Sequence, residues 1–281
     1  MSRKKLEEKN PTPTEETFEL EGSEQQVAPP YTPQDLFELA IEDQGQGSEN
    51  IDASVTAIPT LRILQKGSHE VDQMDPKYVQ GAEQGMFFAF GPKGPVLIPG
   101  IPGVKFHVCH FEKCYIEWVP VAKGGGFVAR YPTKEIGMQS ANIENELKET
   151  WEYYVIVDHP ELGLFPSMFG CTGSKLGVAR KMNSVIAGFK AVKRDAQGNP
   201  LRTFVPPTWF YPFNLTTKPT RNEKGSWHTF EFETLEQIDS AETYQVCKGL
   251  RDAVRSGVAK GWQDVEAADE VPVAEDDGVD Y

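Results

Sequence analysis

Residues 104–120 read VKFHVCHFEKCYIEWVP, and the reading of this stretch decides the fold. Apolar and polar side chains alternate along it, the period of a strand with one face on a core, and β-branched and aromatic residues dominate. The run is too long for one flat strand, so a bend or hairpin near Glu112 is expected. Upstream, 61–65 (LRILQ) alternates, 85–90 (GMFFAF) is a short apolar run, and 95–99 (PVLIP) follows the turn signal GPKG. Downstream, Gly124, Gly125 and Gly126 break the chain before a strand at 127–131, and 151–157 (WEYYVIV) reads as a strong strand.

The period then changes. Leu176, Ala179, Met182, Val185, Ile186 and Phe189 recur at helical spacing, which predicts an amphipathic helix over 173–189 opened by Thr172 or Ser174. A DAQGNP turn at 195–200 leads to strands at 208–217 (TWFYPFNLTT) and 226–233 (SWHTFEFE), joined by the polar loop KPTRNEKG. A last helix runs from about 238 to 260, capped by Asp239 or Ser240, with Cys247, Leu250, Val254 and Val258 on one face. Strands, one inserted helix, two more strands and a terminal helix follow the plan of a small closed β-barrel. The fold class expected is mainly β, an elaborated OB-fold barrel with one inserted helix, a C-terminal helix and disordered acidic termini. Its parts are an arm at 1–54, an OB-like nucleic-acid-binding domain at 55–235, a helix at 236–263 and a tail at 264–281. The arm is rich in Pro, Glu, Gln, Gly and Ser and cannot bury enough apolar surface to offset chain entropy, though a short helix at 33–42 is optional.

Charge is segregated along the chain. The arm carries 13 acidic and 4 basic side chains, and the tail eight carboxylates with no Lys or Arg, within a total of −14. Residues 170–229 instead hold ten cations against Asp195 and Glu223: Lys175, Arg180, Lys181, Lys190, Lys193, Arg194, Arg202, Lys218, Arg221 and Lys224. An acidic average argues against a nucleic-acid partner, whereas this segregation argues for one. Trp209, Phe210, Tyr211, Phe213 and Trp227 are interleaved with the cations. Cations that follow phosphates and rings that stack bases are what single strands require. Strand alternation puts Trp209, Tyr211 and Phe213 on one face and Phe210 on the other. Lys175, Lys181, Arg202, Lys218, Arg221 and Lys224 are expected on phosphates, the last three in the connecting loop where they clamp the strand, with Trp209, Tyr211 and Trp227 on bases.

Other chemistries find little support. His107, Cys109, His110 and Cys114 lie close together but alternate between strand faces, so they are weak metal candidates and no cofactor is expected. GCTGSK at 170–175 lacks the spacing of a phosphate loop. No nucleophile–base pair or carboxylate set stands out, so the protein is expected not to be an enzyme. No run of 18 apolar residues exists to span a membrane, and MSRKKLEEKN has no signal-peptide stretch. Four cysteines at 109, 114, 171 and 247 form no tight framework, which fits a reducing cytoplasm, the host's if the chain is phage-encoded.

The segments CYIEWVPVAKGGGFVARY (114–131), GCTGSKLGVARKMNSVI (170–186) and NEKGSWHTFEFE (222–233), with the acidic tail, resemble phage replication-type single-stranded DNA-binding proteins over roughly 58–262. Bacterial ones are more loosely similar. The resemblance implies an OB-fold that protects single-stranded DNA during replication, recombination and repair. It also implies contact with a polymerase or helicase-primase through the tail, here Asp276, Asp277, Asp280 and Tyr281. The tail ends in Tyr where the family ends in Phe. A homodimer is also allowed. A virion or assembly protein and a strand-annealing recombination protein are the alternatives.

Overall fold

The computed structural model describes residues 33–43, 46, 57–91, 93–223 and 225–261. The chain divides into two units, 1–49 and 50–281. In the first, α1 (Pro33–Glu42) occupies the segment where a helix was optional, and its Phe37 and Ile41 are exposed. Apart from Asp43 and Gln46, the rest of the expected arm, like the whole tail with Asp276, Asp277, Asp280 and Tyr281, lies outside the described residues.

The second unit is mainly β. In chain order it holds β1 (Ala57–Ile58), β2 (Thr60–Ile63), β3 (Phe87–Gly91), β4 (Gly94–Ile98), β5 (Val104–Trp118), β6 (Phe127–Tyr131), α2 (Lys134–Ser140), β7 (Glu146–His159) and β8 (Gly163–Thr172). Then come α3 (Lys175–Ala187), β9 (Ala191–Arg194), β10 (Pro200–Phe204), β11 (Phe213–Asn222), β12 (Gly225–Thr234), α4 (Ala241–Arg255) and β13 (Lys260–Gly261). Nine strands make one sheet in the order β12-β11-β5-β7-β8-β2-β3-β4, with β6 also on β5, and this sheet curls into a half-barrel. β9 with β10, and β1 with β13, form separate two-stranded pieces. No helix among the described residues is long and apolar enough to cross a membrane.

The stretch 104–118 is one strand, not a hairpin. A register shift between Val108 and His110 bends it and keeps both halves paired to β7. This shift also resets the alternation, so Phe106, Val108 and Phe111 face the same side, opposite Val157, Val155 and Tyr153. On that side Phe106 and Val108 join Leu61, Phe87, Phe169, Phe213 and Phe230 in the main core, which α3 covers with Ala179 and Met182, while Phe111 lies at its exposed margin. Burying one such aromatic contributes about 2–3 kcal/mol. The opposite face of β7 is covered too. Tyr154 packs with Val254 of α4, and Ile156 with Cys247. A strand buried on both sides reads as a continuous apolar run, which is why WEYYVIV does not alternate.

β8 was not foreseen, because Pro166, Gly163 and Gly170 interrupt its pattern. The Met168 N–H donates to Pro59 O at 2.8 Å, so the nitrogen two residues earlier, that of Pro166, points to the same edge. There the pairing with β2, limited to Thr60↔Met168 and Leu61↔Phe169, has ended, and no ladder bond is lost. The ends of the curled sheet are joined by isolated hydrogen bonds instead of a ladder. Gln65 exchanges two hydrogen bonds with the backbone of His228, at 3.0 and 2.8 Å. Thr217 N donates to Gly100 O at 3.0 Å and its hydroxyl to Gly85 O at 2.6 Å. A Cβ at Gly100 would stand 1.9 Å from that hydroxyl, so only glycine permits this approach.

The inserted and terminal helices lie where the periodicity put them. Ser240 caps α4, its Oγ accepting from Thr243 N at 3.2 Å, and Val258 falls beyond the helix, 40% exposed. Ser174 precedes α3 without a side-chain cap bond. The expected strand at 208–217 is corrected. Thr208–Phe210 is a 3-10 turn, and β11 begins at Phe213, because Pro206, Pro207 and Pro212 offer no N–H to a ladder. The polar run after it is not a loop: β11 and β12 stay paired to Asn222↔Gly225.

Candidate nucleic-acid interface

The exit from α3 fixes the most basic part of the chain. Phe189 packs against the rings of Tyr211 (4.9 Å) and Phe213 (6.0 Å), and Tyr211 Oη donates to Lys190 O at 3.1 Å. Beyond this anchor β9 and β10 form an antiparallel hairpin around a turn held by Asp195. Its carboxylate accepts from the side chain and backbone of Asn199 and from Gln197 N, bonds that hold its pKa below the usual range. The register sets Lys193 opposite Arg202 and Ala191 opposite Phe204. Like charges directly opposite each other destabilise a hairpin, and an anion between them removes the penalty. Ala191 is the one buried residue of the two strands, while Val192, Leu201, Phe204 and neighbouring Val205 are exposed. Phe204 leads into a run of rings, with Phe210 at 6.3 Å and Tyr211 at 5.1 Å from Phe210.

A second group gathers on the solvent side of α3. Arg180 and Lys181 are exposed there. The Arg180 guanidinium stands over Trp151, 5.7 Å from its centroid, and Phe111 meets the same indole edge-on at 5.6 Å. Trp151 Nε1 donates to Glu149 at 2.8 Å, and that carboxylate also receives Lys113 at 3.2 Å. Phe111 and Trp151 were not among the sequence candidates. The signal was present, since they flank the core positions of the two longest strands, but the bulge in β5 hid which face Phe111 takes. Lys175, at the start of α3, is half-buried, and burial pushes its ammonium pKa down.

The remaining candidates separate from these groups. Lys218 lies in β11 and is ion-paired to Glu231 at 2.7 Å. Arg221 is exposed at the far end of that strand, and Lys224 lies outside the described residues. Trp227 is half-buried opposite Thr220. Trp209 is corrected from a stacking to a core position: it is 6% exposed and packs on Tyr244 of α4 at 5.7 Å. Tyr211 is half-buried, its ring on Phe189. The structure therefore brings Lys190, Lys193, Arg194 and Arg202 together on the β9–β10 arm and Arg180 with Lys181 on α3, and sets Lys218, Arg221 and Trp227 at the β11–β12 hairpin. Among the described residues, Lys218 is the one cation of 170–223 found in an ion pair.

Elsewhere cations meet carboxylates. Arg130 bridges Glu112 and Glu152, the latter at 2.8 Å, while Lys123 pairs with Glu144 and Lys148 with Glu146. Burial opposes the charge on Arg130, but Glu152, Cys114, Tyr154 and the bond to Glu112 together outweigh it and raise the pKa. The four metal candidates do not converge. His107 is buried, its Nδ1 3.2 Å from Trp209 O. His110 faces Glu112 at 3.2 Å, and Cys114 donates to Thr150 O. Burial pushes the Cys114 thiol up to about 12 and raises that of Cys109, which keeps both protonated. Among the described residues no group of three or more His, Cys, Asp or Glu is placed to hold a metal ion.

Residues 32–260 match the family model of the Pam3 phage gp34-like protein. The chain belongs to that family. The match covers both α1 and the half-barrel with its arm, and it points to a phage protein. No curated protein and no solved structure matches this gp34-like chain.

Proposed function

We propose that this gp34-like protein binds single-stranded DNA with little base preference, as a non-enzymatic coat for strands exposed in replication, recombination and repair. The observation that carries the reading is the pair Lys193 and Arg202, set opposite each other without a carboxylate partner among the described residues and flanked by exposed Phe204. Such a pair is stabilised by phosphate, and the neighbouring rings offer faces to bases. Lys190, Arg194, Arg180 and Lys181 extend the cationic track, and Trp151 with Phe111 supplies a second stacking surface. In this reading the strand passes from the β9–β10 arm along the solvent side of α3. Arg221 and Trp227 continue the track at the β11–β12 hairpin.

The acidic tail competes with phosphate for these cations, and its aromatic end docks on a polymerase or helicase-primase. Titration of the full chain with dT oligomers at several salt concentrations tests the reading. With six phosphate contacts the slope of log affinity against log salt is about −4. Deleting 264–281 tightens binding and abolishes partner recruitment. A slope near zero, or copurification with virions without oligonucleotide binding, sinks the proposal in favour of an assembly role. Rings that pair complementary strands would assign the protein to strand annealing.

A further inference from the structure

The outer face of the half-barrel holds a cavity of about 780 Å³ that the cationic track does not use. Thr60 and Arg62 of β2, Phe88 and Phe90 of β3, Trp118 at the end of β5, and Glu70, Lys77 and Tyr78 of the β2–β3 connection line it. The connection is held in place: Val79 N donates to Glu70 O at 3.0 Å, and Leu64 and Val71 pack on Phe88 beneath it. The site has a polar and an aromatic half. Glu70 is 6% exposed, and one carboxylate oxygen accepts from Arg62, whose guanidinium also lies over Phe88 at 5.1 Å. The other oxygen, Oε2, is buried with no hydrogen-bond partner among the described residues. A buried carboxylate oxygen left unpaired is costly, so a donor from a ligand would restore what folding removed. The rings of Tyr78, Phe90 and Trp118 are half-buried, each keeping part of its surface open.

Charge decides between the ligands that an aromatic pocket with a carboxylate can take. An organic cation would suit the rings and Glu70 alone. Here Glu70 is already answered by Arg62, and Lys77 adds a second positive charge at the rim, so the lining carries a net charge of +1. A ligand with a flat ring, an N–H donor on that ring and an anionic group fits all three features. We propose that this cavity binds one nucleoside monophosphate unit. The base lies among Phe90, Tyr78 and Trp118 and donates an N–H to Glu70 Oε2, and the phosphate meets Arg62 and Lys77. The unit is either a free mononucleotide or a nucleotide of a bound strand. Thymine is the poorest occupant, because its single N–H is flanked by two carbonyls that repel the carboxylate, whereas the other bases present an exocyclic amine.

The site stands independently of the cationic track, and the experiment separates the two. The four deoxynucleoside monophosphates are titrated against the full chain by calorimetry and saturation-transfer NMR. The expected result is saturable binding, with transfer strongest to base protons and dTMP weakest. Glu70→Ala and Phe90→Ala each weaken binding at least about fivefold, and K193E/R202E leaves it unchanged. Phe90→Ala removes one half-buried ring and keeps the test valid if Glu70→Ala fails to fold. If Phe90→Ala also weakens a dA oligomer, the occupant is a nucleotide of the strand; if it weakens dAMP alone, the occupant is free. No saturable binding of any monophosphate, dTMP binding tightest, or binding lost in K193E/R202E but kept in Phe90→Ala each overturns the assignment.

Discussion

Two regions of the molecule handle positive charge in opposite ways. Where β5, β6 and β7 run together, Arg130, Lys113, Lys123 and Lys148 each face a carboxylate at 2.5–3.2 Å or closer. From α3 to β10, Arg180, Lys181, Lys190, Lys193, Arg194 and Arg202 have no ion-pair partner among the described residues, and two of them oppose each other across a hairpin. The first arrangement is complete within the fold. The second is complete only with an external anion. Cations that serve stability are paired and partly buried, whereas cations that serve binding are left exposed at a cost to the folded state.

Five experiments break or sharpen this contrast. The largest effect belongs to the paired end. Arg130→Met takes the guanidinium from Glu152, whose side chain is 3% exposed, and costs about 3–5 kcal/mol in urea unfolding. The folded fraction should keep its affinity for dT oligomers, and a loss there would place Arg130 in the binding track instead. Next comes K193E/R202E, which lowers oligomer affinity about a hundredfold at low salt and reduces the salt slope by about 1.4. Lys123→Glu, at an exposed pair with Glu144, changes affinity less than about twofold; equal effects would erase the distinction. Trp151→Leu weakens binding about tenfold and removes much of the tryptophan quenching, while Trp209→Phe leaves both as they were.

The smallest effect is a pH dependence at the paired end. Burial pushes Glu117 upward, but hydrogen bonds from Tyr131 Oη (2.6 Å), Asn145 Nδ2 (2.6 Å) and Asn142 N (2.9 Å) outweigh it and hold the carboxyl below its ordinary pKa. With the folded pKa lowered, the unfolded chain takes up protons first. The contribution is therefore fully present above the unfolded pKa of about 4.3 and is lost as pH falls through the folded value. Melting temperatures from about pH 6 to pH 3 should fall less steeply in Glu117→Gln. Parallel curves would show that this cluster does not set the acid limit.

Local pattern made much of this legible. Alternation, apolar runs and turn signals found β2 to β7, the 3.6-residue period found α3 and α4, and the short helix at Pro33–Glu42 was within reach. β8 was missed because Pro166 and its glycines mimic a break, and only the early end of the β2 pairing makes them harmless. Among the site residues, the cations of 180–202 were visible as composition. Trp209, read as a stacking ring, lies in the core, and Phe111 beside Trp151 was not picked out, since a 3-10 turn and a bulge each rotate the chain off the period from which facing was read.

The sequence by itself determined a mainly β body, two amphipathic helices and a basic segment between acidic ends, because period and charge are properties of neighbours along the chain. Only the tertiary structure decided that Lys193 faces Arg202, that Trp209 lies under α4, and that Glu70 and Trp118 share a cavity. Those facts depend on register and on strands meeting across long loops. The free energy that selects them comes from burying one set of rings together, which no local pattern encodes.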